Sequence, residues 1–140
     1  MVKVVKHGVI LKPTSRAFER RAVLNPGVFQ EGEYVHVFYR AINPEGKSCI
    51  GHAKLKGPTR VVWRCRSPIF RRLHAYESRG VEDPRVVKLD GTYYMTYVAH
   101  DGKNAITAYA TSKDLKTWRK RGIISPTFVY HDAKKMFERA

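Results

Sequence analysis

The sequence predicts an all-β fold built from repeated four-stranded blades, an incomplete β-propeller, and three observations carry that prediction. Two landmarks recur at one spacing: Asn25-Pro26 returns as Asp83-Pro84, and Ser67-Pro68-Ile69-Phe70 returns as Ser125-Pro126-Thr127-Phe128, in the same 58-residue register. Short runs rich in Val, Tyr, Phe and Thr are broken by turn signals at Gln30-Glu31-Gly32, Asn43-Pro44-Glu45-Gly46, Asp90-Gly91 and Asp101-Gly102. Helix is hard to place, and only residues 12–21 and 132–140 have room for a turn or two.

Four segments follow from the register. Residues 1–22 form an N-terminal extension, 23–71 the first blade, 72–128 the second, and 129–140 the start of a third. The extension begins Met1-Val2-Lys3-Val4-Val5-Lys6-His7 and lacks the apolar core of a signal peptide, so the expected location is cytoplasmic. In the first blade, Gly32-Glu33-Tyr34 leads into the strand Val35-His36-Val37-Phe38-Tyr39. Arg60, Arg64, Arg66, Arg71 and Arg72 then alternate with Val61, Val62, Trp63, Cys65, Ile69 and Phe70, which reads as strand with one solvated face. In the second blade, Asp90-Gly91 between Val86-Val87-Lys88-Leu89 and the run from Tyr93 to Val98 is a tight-hairpin signal. A third strand runs through Ala105-Ile106-Thr107-Ala108-Tyr109-Ala110, and a fourth lies near Arg119 to Ile124.

Bulk properties narrow the function classes. At 140 residues the chain holds one domain with a real core, and 43% hydrophobic residues argue against disorder. No apolar run approaches the ~20 residues of a membrane span. Cys49 and Cys65 read as free thiols. Lys and Arg total 27 against 12 Asp and Glu, a formal +15, which attracts nucleic acid, acidic surfaces or small anions such as phosphate. The basic residues are scattered rather than gathered into an arm, so nucleic-acid binding is not expected. No Cys/His spacing suggests a metal site, and no Gly-rich loop suggests a nucleotide cofactor.

The chemistry concentrates at Arg79-Gly80-Val81-Glu82-Asp83-Pro84-Arg85, where two adjacent carboxylates sit between two arginines and are fixed by a proline. A carboxyl held beside fixed donors is what a glycosyl-transfer site needs, and a strand-entry turn with two surface ion pairs is the plain alternative. This stretch resembles the signature of glycoside hydrolase family 130, the β-mannoside phosphorylases and related hydrolases. Leu24-Asn25-Pro26-Gly27, Phe38-Tyr39-Arg40-Ala41, the run Gly91-Thr92-Tyr93-Tyr94-Met95-Thr96-Tyr97-Val98-Ala99, and Thr111-Ser112-Lys113-Asp114 with Trp118 follow the family pattern in order. His131-Asp132-Ala133 stands where the family usually has Lys-Asp-Ala, and Met136-Phe137 where Phe-Pro is usual.

The resemblance implies a five-bladed propeller of which the chain is the N-terminal half. It implies Asp83 as general acid, acting through a hydroxyl of the bound mannose. That role needs a carboxyl protonated near neutrality, favoured by burial or by a like charge from Glu82 and opposed by Arg79 and Arg85. It further implies sugar contacts from Asn25, Arg40, Glu82, Arg85, Tyr97 and Asp132, and phosphate contacts from Arg79 and His131, whereas Tyr93 reads as core. The reaction implied is phosphorolysis of a β-mannoside with inversion to α-mannose 1-phosphate, with inorganic phosphate as co-substrate and no cofactor. A β-mannoside hydrolase would need a second carboxylate to activate water. A noncatalytic half-propeller that binds carbohydrate or only assembles is the remaining alternative. Two blades leave exposed sheet edges, so either further blades complete the ring or copies of the chain do so as a homodimer or higher oligomer.

Overall fold

The computed structural model describes residues 3–125. Eight strands form two antiparallel meanders of four: β1 (Ala22–Glu31), β2 (Tyr34–Ile42), β3 (Ser48–Lys56) and β4 (Arg60–Arg64), then β5 (Gly80–Leu89), β6 (Thr92–His100), β7 (Ala105–Ser112) and β8 (Arg119–Ile123). A single parallel bridge, Ser48 to Gly80, joins them. The expected strands are present, and β1 and β5 extend through the Asn-Pro and Asp-Pro steps. Each proline sits where the ladder skips, between Leu24 and Gly27 and between Glu82 and Arg85, because proline cannot donate to a ladder and is tolerated at a bulge. Asp90 and Gly91 both take positive φ, as a tight primed hairpin turn requires. The strand expected across Arg60 to Arg72 stops at Arg64; beyond it Phe70 forms an isolated bridge to Ile50. Pro68 lacks the N–H to continue the ladder.

Period-two alternation explains where the core lies. On β6, Tyr93, Met95, Tyr97 and Ala99 are buried, and they meet Phe38, Ile50, Phe70, Val81 and Val86 in the core between the meanders. The other face of β2 carries Val37, Tyr39 and Ala41, which join Ala53 and Leu55 under Leu11 and Phe18 of the N-terminal segment. The opposite face of β6, with Tyr94, Thr96 and Val98, is only half-buried.

The same register recurs inside the core. Each meander is preceded by one 3-10 turn, Ala17–Glu19 and Ala75–Glu77, ending in a fully buried glutamate. Glu19 accepts hydrogen bonds from the Tyr39 hydroxyl (2.7 Å), Arg64 Nη2 (2.7 Å) and Thr14 Oγ1 (2.6 Å). Glu77 accepts from the Tyr97 hydroxyl (2.8 Å), Lys120 Nζ (2.5 Å) and the N–H groups of Leu73 and His74. Burial pushes both carboxyls up, but these donors outweigh it and hold both below their ordinary value. The pairs tie the second and fourth strands of each meander to its entry turn.

A buried imidazole pair adds a pH dependence. His36 Nδ1 and His52 Nε2 lie 2.9 Å apart, and His52 stacks on Phe38 with ring centroids 4.4 Å apart. Burial, with His36 and Lys54 nearby, pushes His52 down to about 3; burial and Lys54 also lower His36. An unfolded histidine protonates near ~6.5, so below that pH the unfolded chain binds more protons and stability falls as pH falls towards about 3. The two glutamates act in the same direction, their stabilisation being lost as they protonate. Urea midpoints measured from about pH 7 to about pH 4 are therefore expected to fall steadily, and His52→Gln is expected to flatten the limb above about pH 5. A wild-type midpoint constant over that limb would contradict this account.

Candidate active site at the blade junction

The two ladder skips face one another. Asn25 and Asp83 both adopt positive φ, at 46° and 49°, immediately before a proline. Asn and Asp tolerate this region better than other side chains, yet it remains sparsely populated and is disfavoured before proline. Such strain costs of order 1–3 kcal/mol and clusters at functional sites. Here it turns both side chains out of the strand alternation and towards each other, so that Asn25 Nδ2 donates to Asp83 Oδ1 at 2.8 Å. The backbones touch as well: a Cβ on Gly27 would lie 2.1 Å from the Pro84 carbonyl oxygen.

A second polar group sits beside this contact. Arg40, near the end of β2, donates through Nη2 to Glu82 Oε1 (2.5 Å) and through Nε to Ser48 Oγ (2.9 Å), and Ser48 Oγ donates to the same Glu82 oxygen (3.0 Å). Ser48 is fixed by its backbone, which donates to the Arg79 carbonyl and lies against Gly80; φ at Gly80 is 147°, and a Cβ there would meet Ser48 at 2.6–2.7 Å. The Arg40 guanidinium is thus clamped at the mouth of the junction, with an ion pair only partly open to water.

These placements sort the expected residues. Asn25, Arg40, Glu82 and Asp83 converge. Glu82 is committed to Arg40 and Ser48, whereas Asp83 is half-buried and Asn25 is its hydrogen-bond partner. Arg85 turns back on the backbone, donating to Pro84 O at 2.8 Å, and Arg79 runs alongside Gly102; among the described residues neither is within 4.0 Å of a carboxylate. The expected flanking of the two acids by these arginines is therefore replaced by Arg40 and Asn25 from the other meander. Tyr97 does not reach the junction: it is 1% exposed, packs edge-on to Phe70 and gives its hydroxyl to Glu77, because the pleat points it into the core. Tyr93 is core as expected, with its hydroxyl on Glu31. His131 and Asp132 lie outside the described residues. Ser48 was not foreseen; it follows a turn and carries no sequence signal of its own.

Over residues 5–139 the chain matches the family described as beta-1,4-mannooligosaccharide phosphorylase, glycoside hydrolase family 130. It is 32% identical to a 1,2-beta-oligomannan phosphorylase of Thermoanaerobacter sp. (strain X514), over 83% of this chain and 42% of that protein. It is 34% identical to a beta-1,2-mannobiose phosphorylase of the same organism, over 82% of this chain and 43% of that protein. The chain thus spans less than half the length of the curated relatives it matches. A solved structure from the GH130 family of mannoside phosphorylases, containing glycoside hydrolases that target beta-1,2 mannosidic linkages in Candida mannan, superposes with a TM-score of 0.77 at 26% identity, covering 84% of this chain and 40% of that one. The fold is a partial five-bladed propeller.

The close approach at Gly27 gives a direct test of the junction. Gly27→Ala must push the Pro84 carbonyl away or open the contact, and is expected to cost about 1–3 kcal/mol in urea unfolding. Retention of full stability would mean the two ladder skips are not in contact.

Proposed function

We propose that this chain, which belongs to glycoside hydrolase family 130, forms the first two blades of a β-mannoside phosphorylase and carries its general acid. The observation that supports this most is the state of the carboxylates. Glu82 is bound to a guanidinium and a hydroxyl, so Asp83 is the acid at the junction left with proton-transfer capacity. The proton passes from Asp83 through a mannose hydroxyl to the glycosidic oxygen as the C1–O bond breaks, and a phosphate oxygen attacks C1 from the opposite face, giving α-mannose 1-phosphate. Phosphate is already an anion and needs no base, only cations to hold it in line. Arg40 and Asn25 orient the sugar, Arg85 extends that contact, and Arg79 is free to turn to phosphate. His131 is assigned to phosphate and Asp132 to sugar, at the start of the next blade within 129–140. The extension 1–22 and the blades 23–71 and 72–128 keep the division read from the register.

The remaining blades come from further chain or from copies of this one, and the ring must close for turnover. Among the described residues no helix is long and apolar enough to cross a membrane; we place the reaction in the cytoplasm. Hydrolysis is the second reading, favoured by the hydrolases in the family. It requires a second free carboxylate, a part the described junction does not supply.

In a preparation with a closed ring, release of mannose 1-phosphate from a β-mannobiose is expected to require inorganic phosphate, and Asp83→Asn to lower that rate by about 100-fold or more. An unchanged rate would remove Asp83 as the acid, and phosphate-independent release of mannose would select the hydrolase reading.

A further inference from the structure

The blade junction has a second concavity at its other end. β1 runs on from Asn25 to Glu31, roughly 20 Å of strand. There Glu31 accepts from Lys88 Nζ (2.5 Å) and the Tyr93 hydroxyl (2.8 Å), closing the seam between the meanders. Beside this seam opens a cleft of about 680 Å³, within the range of small-ligand sites. Its walls come from both meanders, from β2, β3 and β4 on one side and from Tyr93 and the 114–116 turn on the other. It shares no residue with the Asn25–Asp83 junction.

The lining has a specific chemistry. Trp63 is 45% exposed on the outer strand β4, with its ring edge-on to His52 at a centroid distance of 5.3 Å. Tyr34 is half-buried under the Lys54 ammonium, 4.5 Å from the ring centroid. His52 also lines the cleft, and its Nδ1 is buried with no hydrogen-bond partner among the described residues. In a chain of formal charge +15, the charged lining is balanced, with Glu31 and Asp114 against Lys54 and Lys116. An exposed indole beside balanced polar groups suits a ligand that is apolar on its C–H faces, polyhydroxylated at its edges and without net charge. A phosphate or other anion has no reason to prefer this cleft to the cationic surface around it.

We propose that this cleft is a second saccharide-binding site, which holds a neutral oligosaccharide against Trp63 away from the reacting centre. The choice of a β-mannan chain as the saccharide rests on the phosphorylase reading; the cleft and its ligand class do not. A chain held there would be retained by the protein between turnovers, raising its effective concentration at the junction.

The test is a titration of the intact chain with β-1,2-mannotetraose, read by tryptophan emission and by protection from iodide quenching. Cellotetraose and inorganic phosphate serve as controls. The chain has two tryptophans, and the other, Trp118, is half-buried with its ring against Phe38, so a Trp118→Phe variant isolates the quenching signal of Trp63. Saturable protection is expected and is absent with phosphate, and the affinity read by calorimetry is expected to weaken about tenfold or more in Trp63→Ala and Lys54→Met and to be unaltered in Asp83→Asn. Lys54→Met keeps the test decisive if Trp63→Ala misfolds. Protection by cellotetraose alone would keep the cleft and overturn the mannan assignment. Trp63-dependent binding in a closed-ring preparation that shows no phosphorolysis would overturn the phosphorylase reading and leave the cleft standing. No protection, protection by phosphate alone, or binding lost in Asp83→Asn but kept in both cleft variants would overturn the proposal.

Discussion

The contact between the two proline-locked turns, Asn25-Pro26-Gly27 and Asp83-Pro84-Arg85, sets the geometry of everything around it. In each meander the first strand skips two residues of its ladder, and at that skip the chain adopts a backbone that costs free energy. The cost is spent twice, once in each meander, at equivalent positions of the 58-residue register. A single such turn would be a local irregularity. Two that face one another at hydrogen-bond distance make a preformed polar centre at the seam, built on strands rather than on loops.

Rigid support makes that arrangement possible. The buried glutamates Glu19 and Glu77 each gather a tyrosine of the second strand and a cation of the fourth, so both strands of each meander are tied to its entry turn. Breaking such a pair by removing one partner leaves an uncompensated buried charge, typically 3–5 kcal/mol. Arg40 performs a comparable task nearer the centre, by binding Glu82 and leaving Asp83 as the acid available for proton transfer.

The strands and the blade repeat were legible because period two and the turn residues act locally: Asp90-Gly91 can hardly do anything but turn, and Tyr93, Met95 and Ala99 alternate with half-buried neighbours. The 58-residue register also held the information for the glutamate anchors, since Glu19 and Glu77 recur with Tyr39 and Tyr97, but a buried carboxylate is an improbable reading without its partner in view. The site was half legible. Asn25 and Asp83 stand out as repeat landmarks before prolines and their site roles are what the family resemblance implies, whereas the flanking arginines are not the partners of the two acids. Arg79 and Arg85 are close in sequence, but a ladder skip breaks alternation, and the neighbours that matter come from β1, β2 and β3 of the other meander. Tyr97 was placed in the cavity through resemblance alone; pleat direction put it in the core.

The central claim is that Asp83 holds its strained backbone for chemistry and not for folding, and the stability of Asp83→Gly tests it most directly. Glycine takes positive φ without strain but adds freedom to the unfolded chain, worth about 0.5–1 kcal/mol, and the exposed bond to Asn25 contributes little. A urea-unfolding stability equal to or above that of the wild type, to within about 0.5 kcal/mol, is expected. A loss of about 2 kcal/mol or more would show that the carboxylate is a structural element of the turn, and would contradict the assignment of Asp83 as the acid.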